Sequence, residues 1–171
     1  RRQVTIPVVK DCTENKLTNV ELTRLPKKRS EGDMPQIALT TGGCDGLGCM
    51  LKKIGVDDTE FGTMADTNKA IHVYKGGNVS SGTWPDAQQL WSNLTQMKKY
   101  DQLVLSCECT EFLSNKGTSG TGAFQAMNDY MSAGGRIFTT DFMYTWYKFS
   151  SDPNMRGIGT IPGGAPVQRD R

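Results

Sequence analysis

A single histidine among 171 residues limits the catalytic devices that this chain could carry. Any cysteine–histidine or serine–histidine–aspartate arrangement would have to use His72, which we expect to be a hydrogen-bonded strand residue rather than a catalytic base. The sequence also lacks an apolar run approaching the ~18 residues of a membrane-spanning helix. The formal net charge of +2 is too small and too mixed in sign to predict nucleic-acid or lipid binding.

Neither an initiator methionine nor a signal peptide is present at residues 1–4, so we expect the chain to be a piece of a longer polypeptide. Its five cysteines are more than a cytosolic domain usually carries. They are Cys12, Cys44, Cys49, Cys107 and Cys109. This number favours an oxidising compartment and predicts an extracytoplasmic location, either secreted or on the outer cell surface.

Three regions are predicted along the chain. Residues 1–34 show no sustained periodicity and are expected to form an extended arm or linker. Residues 35–150 are predicted to form an α/β domain. Residues 151–171 form a Gly/Pro-rich tail, or a truncated remainder of the domain. Exchange of the arm between protomers would produce a homo-oligomer or a filament.

Short apolar strands alternate with amphipathic helices from Pro35 onward. Strands are predicted at 37–40, 70–74, 102–107 and 136–140, with helices at 45–54, from Pro85 to about 99, and at 121–133. This alternation predicts a three-layer, flavodoxin-like parallel sheet, whose functional crevice should lie at the carboxyl ends of the strands. Four loops are expected to meet there, at 41–49, 75–84, 107–121 and 141–146.

Carboxylates and aromatic rings in these loops are the candidate ligand-binding groups. The acidic candidates, together with Glu111, could form an acid/base pair or bind a cation. The aromatic candidates could stack on sugars at the crevice rim, or pack under a further part of the fold. The predicted ligand-binding residues are Asp45, Glu108, Asp141, Tyr144 and Trp146. No cofactor is predicted, because the glycine-rich segment 42–48 lacks the spacing of a dinucleotide or phosphate loop. No metal is predicted either, because the spacings Cys-x4-Cys and Cys-x-Cys are not those of a familiar zinc knuckle.

Four cysteines should approach the same edge of the sheet, two after the first strand and two after the third. Disulfides within or between these pairs are one interpretation for Cys44, Cys49, Cys107 and Cys109. Reduced inert thiols, a four-thiolate metal site and a reactive thiol at Cys107 are the alternatives.

Two segments resemble the class I glutamine-amidotransferase-like fold, and within it the ThuA-like branch. They are Lys99–Glu108, which runs Tyr-Asp into a central strand, and Met131–Thr140, where a helix ends in Gly-Gly before a strand. Leu25-Pro26, Ser30–Asp33 and Ile37–Cys49 further resemble a family of large secreted bacterial lipoproteins. In that family the module follows a carboxypeptidase-regulatory-like β-sandwich.

The resemblance implies a nucleophile position directly after the fourth strand, and there this chain has Asp141 instead of cysteine or histidine. It therefore predicts a non-catalytic binding or structural module of a cell-surface protein, with other domains of the same protein as partners and carbohydrate as a candidate ligand. The alternative is a hydrolase of carbohydrates or amides that uses Asp141, Glu108 or Cys107.

Overall fold

The computed structural model of this chain describes residues 1–6, 10–80, 82–117 and 122–159. It contains a five-stranded sheet in which all paired strands are parallel, in the order β2-β3-β1-β4-β5. The strands are β1 (Ile37–Thr40), β2 (Phe61–Gly62), β3 (Ile71–Tyr74), β4 (Gln102–Leu105) and β5 (Ile137–Thr139). The predicted flavodoxin-like α/β fold class is confirmed.

Helices cover both faces of this sheet. They are α1 (Leu47–Lys53), α2 (Gln88–Trp91), α3 (Leu94–Met97), α4 (Ala123–Ser132), α5 (Thr145–Lys148) and α6 (Pro153–Arg156). Short 3-10 helices occur at Val20–Leu22, Arg29–Glu31, Asp58–Glu60 and Asp141–Tyr144. None of the helices in the described part of the chain combines the length and apolar character that crossing a membrane requires.

Alternating side chains of the strands enter two separate cores, because successive residues of a strand point to opposite faces. Leu39 and Val104 pack with α1 on one face. Ala38 and Leu103 pack with α2, α3, α4 and α5 on the other. The central strands are therefore buried on both faces, as expected for a parallel sheet covered by helices.

Two elements differ from their prediction. Strand β2 has only two residues, too few to show a periodicity, and it pairs with β3 at the edge of the sheet. The helix predicted from Pro85 is two helices, because the side chain of Asn93 accepts a hydrogen bond from the Gln96 amide and begins a new helix. Pro85 itself precedes both helices, and its carbonyl accepts a hydrogen bond from Lys75.

The second half of the N-terminal arm is tied to the domain. Within the arm, Arg24 forms two hydrogen bonds with Glu31, and the Asp57 amide of the domain donates to the Lys27 carbonyl at 3.1 Å. The buried Glu60 carboxylate accepts hydrogen bonds from the amides of Arg29 and Ala70, both at 3.1 Å. Residues 7–9 of the predicted arm, 118–121 before α4 and 160–171 of the predicted tail lie outside the described residues.

Candidate functional site

The strand order reverses at the β1–β4 pair, so this pair is the position at the carboxyl edge where parallel sheets of this kind place their functional crevice. A disulfide between Cys44 and Cys109, with Cα atoms 5.2 Å apart, joins the loops that follow these two strands. A Cβ on Gly42 would lie 2.0 Å from the Cys107 carbonyl oxygen, so the loops can approach this closely only with glycine there. The loops at the reversal point are therefore fastened to each other.

The disulfide confirms pairing between the two cysteine pairs. Cys49 is an exposed free thiol on α1, Cys107 is a buried free thiol, and Cys12 is also free and exposed. A four-thiolate metal site is not available, since the sulfurs of Cys44 and Cys109 are bonded to each other. Among the residues that the structure describes, no group of three or more His, Cys, Asp or Glu side chains could hold a metal ion.

The side chain of Asp45 also connects these loops through hydrogen bonds. Its Oδ2 accepts hydrogen bonds from the Cys107 amide, at 3.1 Å, and from the Thr140 hydroxyl. The carboxylate therefore links the loop after β1 to the ends of β4 and β5. Because these hydrogen bonds hold neighbouring loops together, we assign the Asp45 carboxylate a structural role.

Asp141 lies directly after β5, at the position to which the family resemblance points. Its φ of 37° is in the left-handed region, which is uncommon for a residue with a side chain. The side chain is exposed, and its Oδ2 accepts a hydrogen bond from the buried Cys107 thiol at 3.6 Å. Thus Asp141 and Cys107, two of the catalytic candidates, are in contact with each other.

Glu108, the third catalytic candidate, forms a buried ion pair with Lys116, and both side chains are at most 1% exposed. Its Oε1 accepts hydrogen bonds from the Gly77 amide at 2.5 Å and from the Asn115 side chain at 2.8 Å. Burial lowers the pKa of Lys116, and Glu108 opposes this shift. Glu108 thus organises the loop after β4 from inside the fold.

Lys116 is also enclosed by two indole rings. Its Nζ lies 5.0 Å from the ring centroid of Trp91 and 5.5 Å from that of Trp146, distances typical of cation–π contacts. Trp146 is 1% exposed and packs against Trp91 and Phe124, with centroids 5.2 Å away in each case. The predicted ligand-binding ring at position 146 therefore lies in the core.

Tyr144 is half-buried and belongs to a small polar cluster. Its hydroxyl donates to Glu111 Oε1 at 2.6 Å, and the same oxygen pairs with Lys148 at 2.5 Å. Lys148 lowers the pKa of Glu111, whereas the hydrogen bond to Glu111 raises the pKa of Tyr144 to about 12. Of the predicted aromatic ligands, only Tyr144 is partly accessible.

His72 lies in β3 and is 6% exposed. Its Nε2 donates to the Asp66 carbonyl at 3.1 Å, so Nδ1 accepts from the Tyr100 hydroxyl at 3.0 Å. Both ring nitrogens are engaged within the protein, and desolvation lowers the pKa of the imidazole. The expectation that His72 is a hydrogen-bonded strand residue is confirmed.

We expect the stability to fall as the pH decreases below about 6.5, the ordinary pKa of histidine. In this range the unfolded chain takes up a proton that folded His72, whose pKa is lowered, does not bind, so the slope can reach about 1.4 kcal/mol per pH unit. Urea unfolding between pH 7 and 5 measures it. Since the chain has one histidine, most of the slope between pH 7 and 6, where carboxylates contribute little, should be lost in His72→Gln, and a slope there equal to that of the wild type would contradict this assignment.

An open groove of about 330 Å³ lies between the loop after β3 and the loop after β4. Its walls carry amide, carboxylate and ammonium groups together with one aromatic ring. The main lining residues are Lys75, Gly76, Gly77, Asn78, Asp86, Gln88, Phe112, Ser114 and Asn115. It is an accessible, largely polar concavity at the carboxyl edge of the sheet.

Backbone contacts give the groove its shape. A Cβ on Gly76 would lie 2.0 Å from the Thr41 carbonyl oxygen, and one on Gly77 would lie 2.6 Å from the Phe112 ring. The Phe112 ring therefore packs directly against the backbone of Gly77. The Asn78 side chain donates a hydrogen bond to the Glu108 carbonyl, and this bond connects the groove wall to the residue that forms the buried ion pair with Lys116.

Residues 75–79 of the predicted loop at 75–84 and residues 112–115 of the predicted loop at 107–121 line this groove, but its side chains are absent from the predicted ligand set. Gln88 and Phe112 belong to no motif, and Asn78 belongs only to the glycosylation acceptor pattern Asn-Val-Ser at 78–80, which does not predict a ligand-binding group. The available signal was the Gly76-Gly77-Asn78 turn after a buried strand, which marks a loop able to approach a neighbour closely.

Comparisons with known proteins add no relative: no protein-family model, no curated protein and no solved structure matches this chain.

Proposed function

We propose that this chain is a non-catalytic binding module that takes up carbohydrate in the groove between the β3 and β4 loops. The observation that carries the proposal is that three acidic side chains at the carboxyl edge are engaged in hydrogen bonds or ion pairs within the fold. Asp45, Glu108 and Glu111 are each held by partners within the fold. Hydrolysis of a glycoside requires a pair of carboxyl groups free to exchange protons, and these three are committed to structure.

The chemistry of the groove supports a sugar ligand. Gln88 offers a planar amide on an exposed side chain, and the exposed Asn78 side chain has its amide nitrogen bonded to the Glu108 carbonyl. Asp86 pairs with Lys75 at 2.9 Å as an accessible polar pair. The half-buried Phe112 offers an apolar ring beside them. Sugars present both hydroxyl groups and apolar C–H faces, so one ring among polar groups is a fitting combination.

We expect Phe112→Ala to weaken oligosaccharide binding by at least about tenfold, because it removes the apolar platform and leaves the polar groups in place. Calorimetric titration with chito-, xylo- and malto-oligosaccharides and with oligogalacturonides would measure this. Phe138→Ala is the matched control, because Phe138 is 43% exposed on β5, away from the groove. Equal losses in both variants, or no saturable binding to any member of the panel, would overturn the proposal.

A second candidate, hydrolysis of carbohydrate or amide bonds, is favoured by one observation. Asp141 is exposed, and its left-handed backbone at a strand-to-helix turn is a conformation that functional sites often retain. Measurable turnover of the same oligosaccharides or of glutamine, lost in Asp141→Asn, would establish the hydrolase and displace the binding proposal.

We further propose that the module is extracytoplasmic and belongs to a cell-surface protein related to the ThuA-like, amidotransferase-like group, with neighbouring domains as partners. Cys44–Cys109 supports the location, since disulfides persist mainly in oxidising compartments. The order of helix α4, the Gly134-Gly135 turn and strand β5 supports the relationship, whereas Asp141 departs from the cysteine or histidine of that group.

A further inference from the structure

A second cavity lies at the opposite edge of the sheet, where β1 and β3 begin. It has a volume of about 600 Å³, which is within the range of small-molecule sites. Its walls are mainly apolar, and include Met34, Ile37, Leu51, Ile54, Val56 and Ile71. The arm segment at residues 23–27 forms the side facing the α1 end.

Apolar surface continues from the cavity to the solvent. Leu25 is 79% exposed and Ile54 is 71% exposed, and both line the cavity. Ile37 and Ile71 at its floor are almost completely buried. The cavity therefore offers an apolar path from the surface to the sheet, which suits an elongated apolar group.

Positive charge surrounds this path. Residues 1–2, 21–37 and 51–58, which frame the cavity, hold eight Lys and Arg against five Asp and Glu, whereas the rest of the chain holds 12 and 13. Arg24 is neutralised by Glu21 and Glu31, and Lys27 at the cavity, whose side chain is 44% exposed, forms a longer ion pair of 3.9 Å with Glu21, a carboxylate that it shares with Arg24. Asp33 is the acidic side chain among the lining residues.

We propose that this cavity binds an amphipathic carboxylate of the fatty-acid class, with its hydrocarbon chain along the isoleucine wall and its carboxylate at Lys27. An apolar body with one anionic end matches both the cavity lining and the local excess of positive charge. This site is separate from the carboxyl-edge groove and does not depend on it.

Calorimetric titration with decanoate tests the proposal, with decyltrimethylammonium as a ligand of the same chain length and opposite charge. We expect saturable binding of one decanoate per chain and markedly weaker binding of the cation. Lys27→Glu should weaken decanoate about tenfold or more, and Lys98→Glu, an exposed lysine at the end of α3, should leave it unchanged. Ile54→Asp, at an exposed wall position, should abolish it.

Absence of saturable decanoate binding at 1 mM would overturn the proposal, as would equal affinity for the cation. Equal weakening by Lys27→Glu and Lys98→Glu would also overturn it, since it would indicate a general charge effect. Circular dichroism of each variant distinguishes loss of the site from loss of the fold, and the exposed Lys27 position tests the site even where Ile54→Asp unfolds.

Discussion

Replacing Lys116 with methionine should destabilise the fold by about 3–5 kcal/mol, because it leaves the buried Glu108 carboxylate without its charge partner. Methionine retains most of the side-chain length between Trp91 and Trp146, so a cavity is not the main cause of the loss. Urea unfolding followed by tryptophan fluorescence measures the change.

The double variant Glu108→Gln/Lys116→Met removes both charges and should recover much of the lost stability. Lys148→Met is the matched control, since its partner Glu111 is partly exposed and the loss should stay below about 1 kcal/mol. If Lys116→Met and Lys148→Met cost the same, the ion pair does not have the structural role assigned to it here.

Removing the disulfide with Cys44→Ser/Cys109→Ser should lower the free energy of unfolding by about 4 kcal/mol. The bond joins residues 65 positions apart, and restricting a loop of that length removes much of the entropy of the unfolded chain. Urea unfolding of the oxidised protein, the reduced protein and the double variant measures the effect.

Cys49→Ser is the control, because its thiol is free and exposed, and it should change stability by less than about 0.5 kcal/mol. A thiol reagent should modify Cys12 and Cys49 in the folded protein, and Cys107 only after unfolding. A disulfide that contains Cys49 or Cys107, found by peptide mapping, would contradict the pairing.

The sheet was largely predictable because its strands are short apolar runs bounded by turn residues. Leu103–Leu105 and Ile71–Tyr74 are buried on both faces, and a run of that kind needs no long-range information to be recognised. Strand β2 was not predicted, because Phe61 and Gly62 are too few to form a recognisable apolar run and join the sheet only by pairing with β3. The break at Asn93 was also hidden, because the apolar spacing continues across it.

The candidate site was predictable only as a set of loops. Sequence places Glu108 at the carboxyl edge, but its role depends on Lys116, which nothing in the pattern identifies as buried. A lysine is expected on the surface, and the tertiary contacts with Trp91, Trp146 and Glu108 help to offset the cost of its burial. The same contacts move Trp146 from the predicted rim into the core.

The central claim is that the carboxyl edge binds sugar in the β3–β4 groove without altering it. One nuclear magnetic resonance titration of the ¹⁵N-labelled chain with the oligosaccharide panel tests this directly, since protein and sugar signals are followed together. We expect amide shifts concentrated at 75–78, 86–88 and 112–115, with the sugar unchanged throughout. Shifts centred on 141–144, or sugar signals that convert to product, would contradict it.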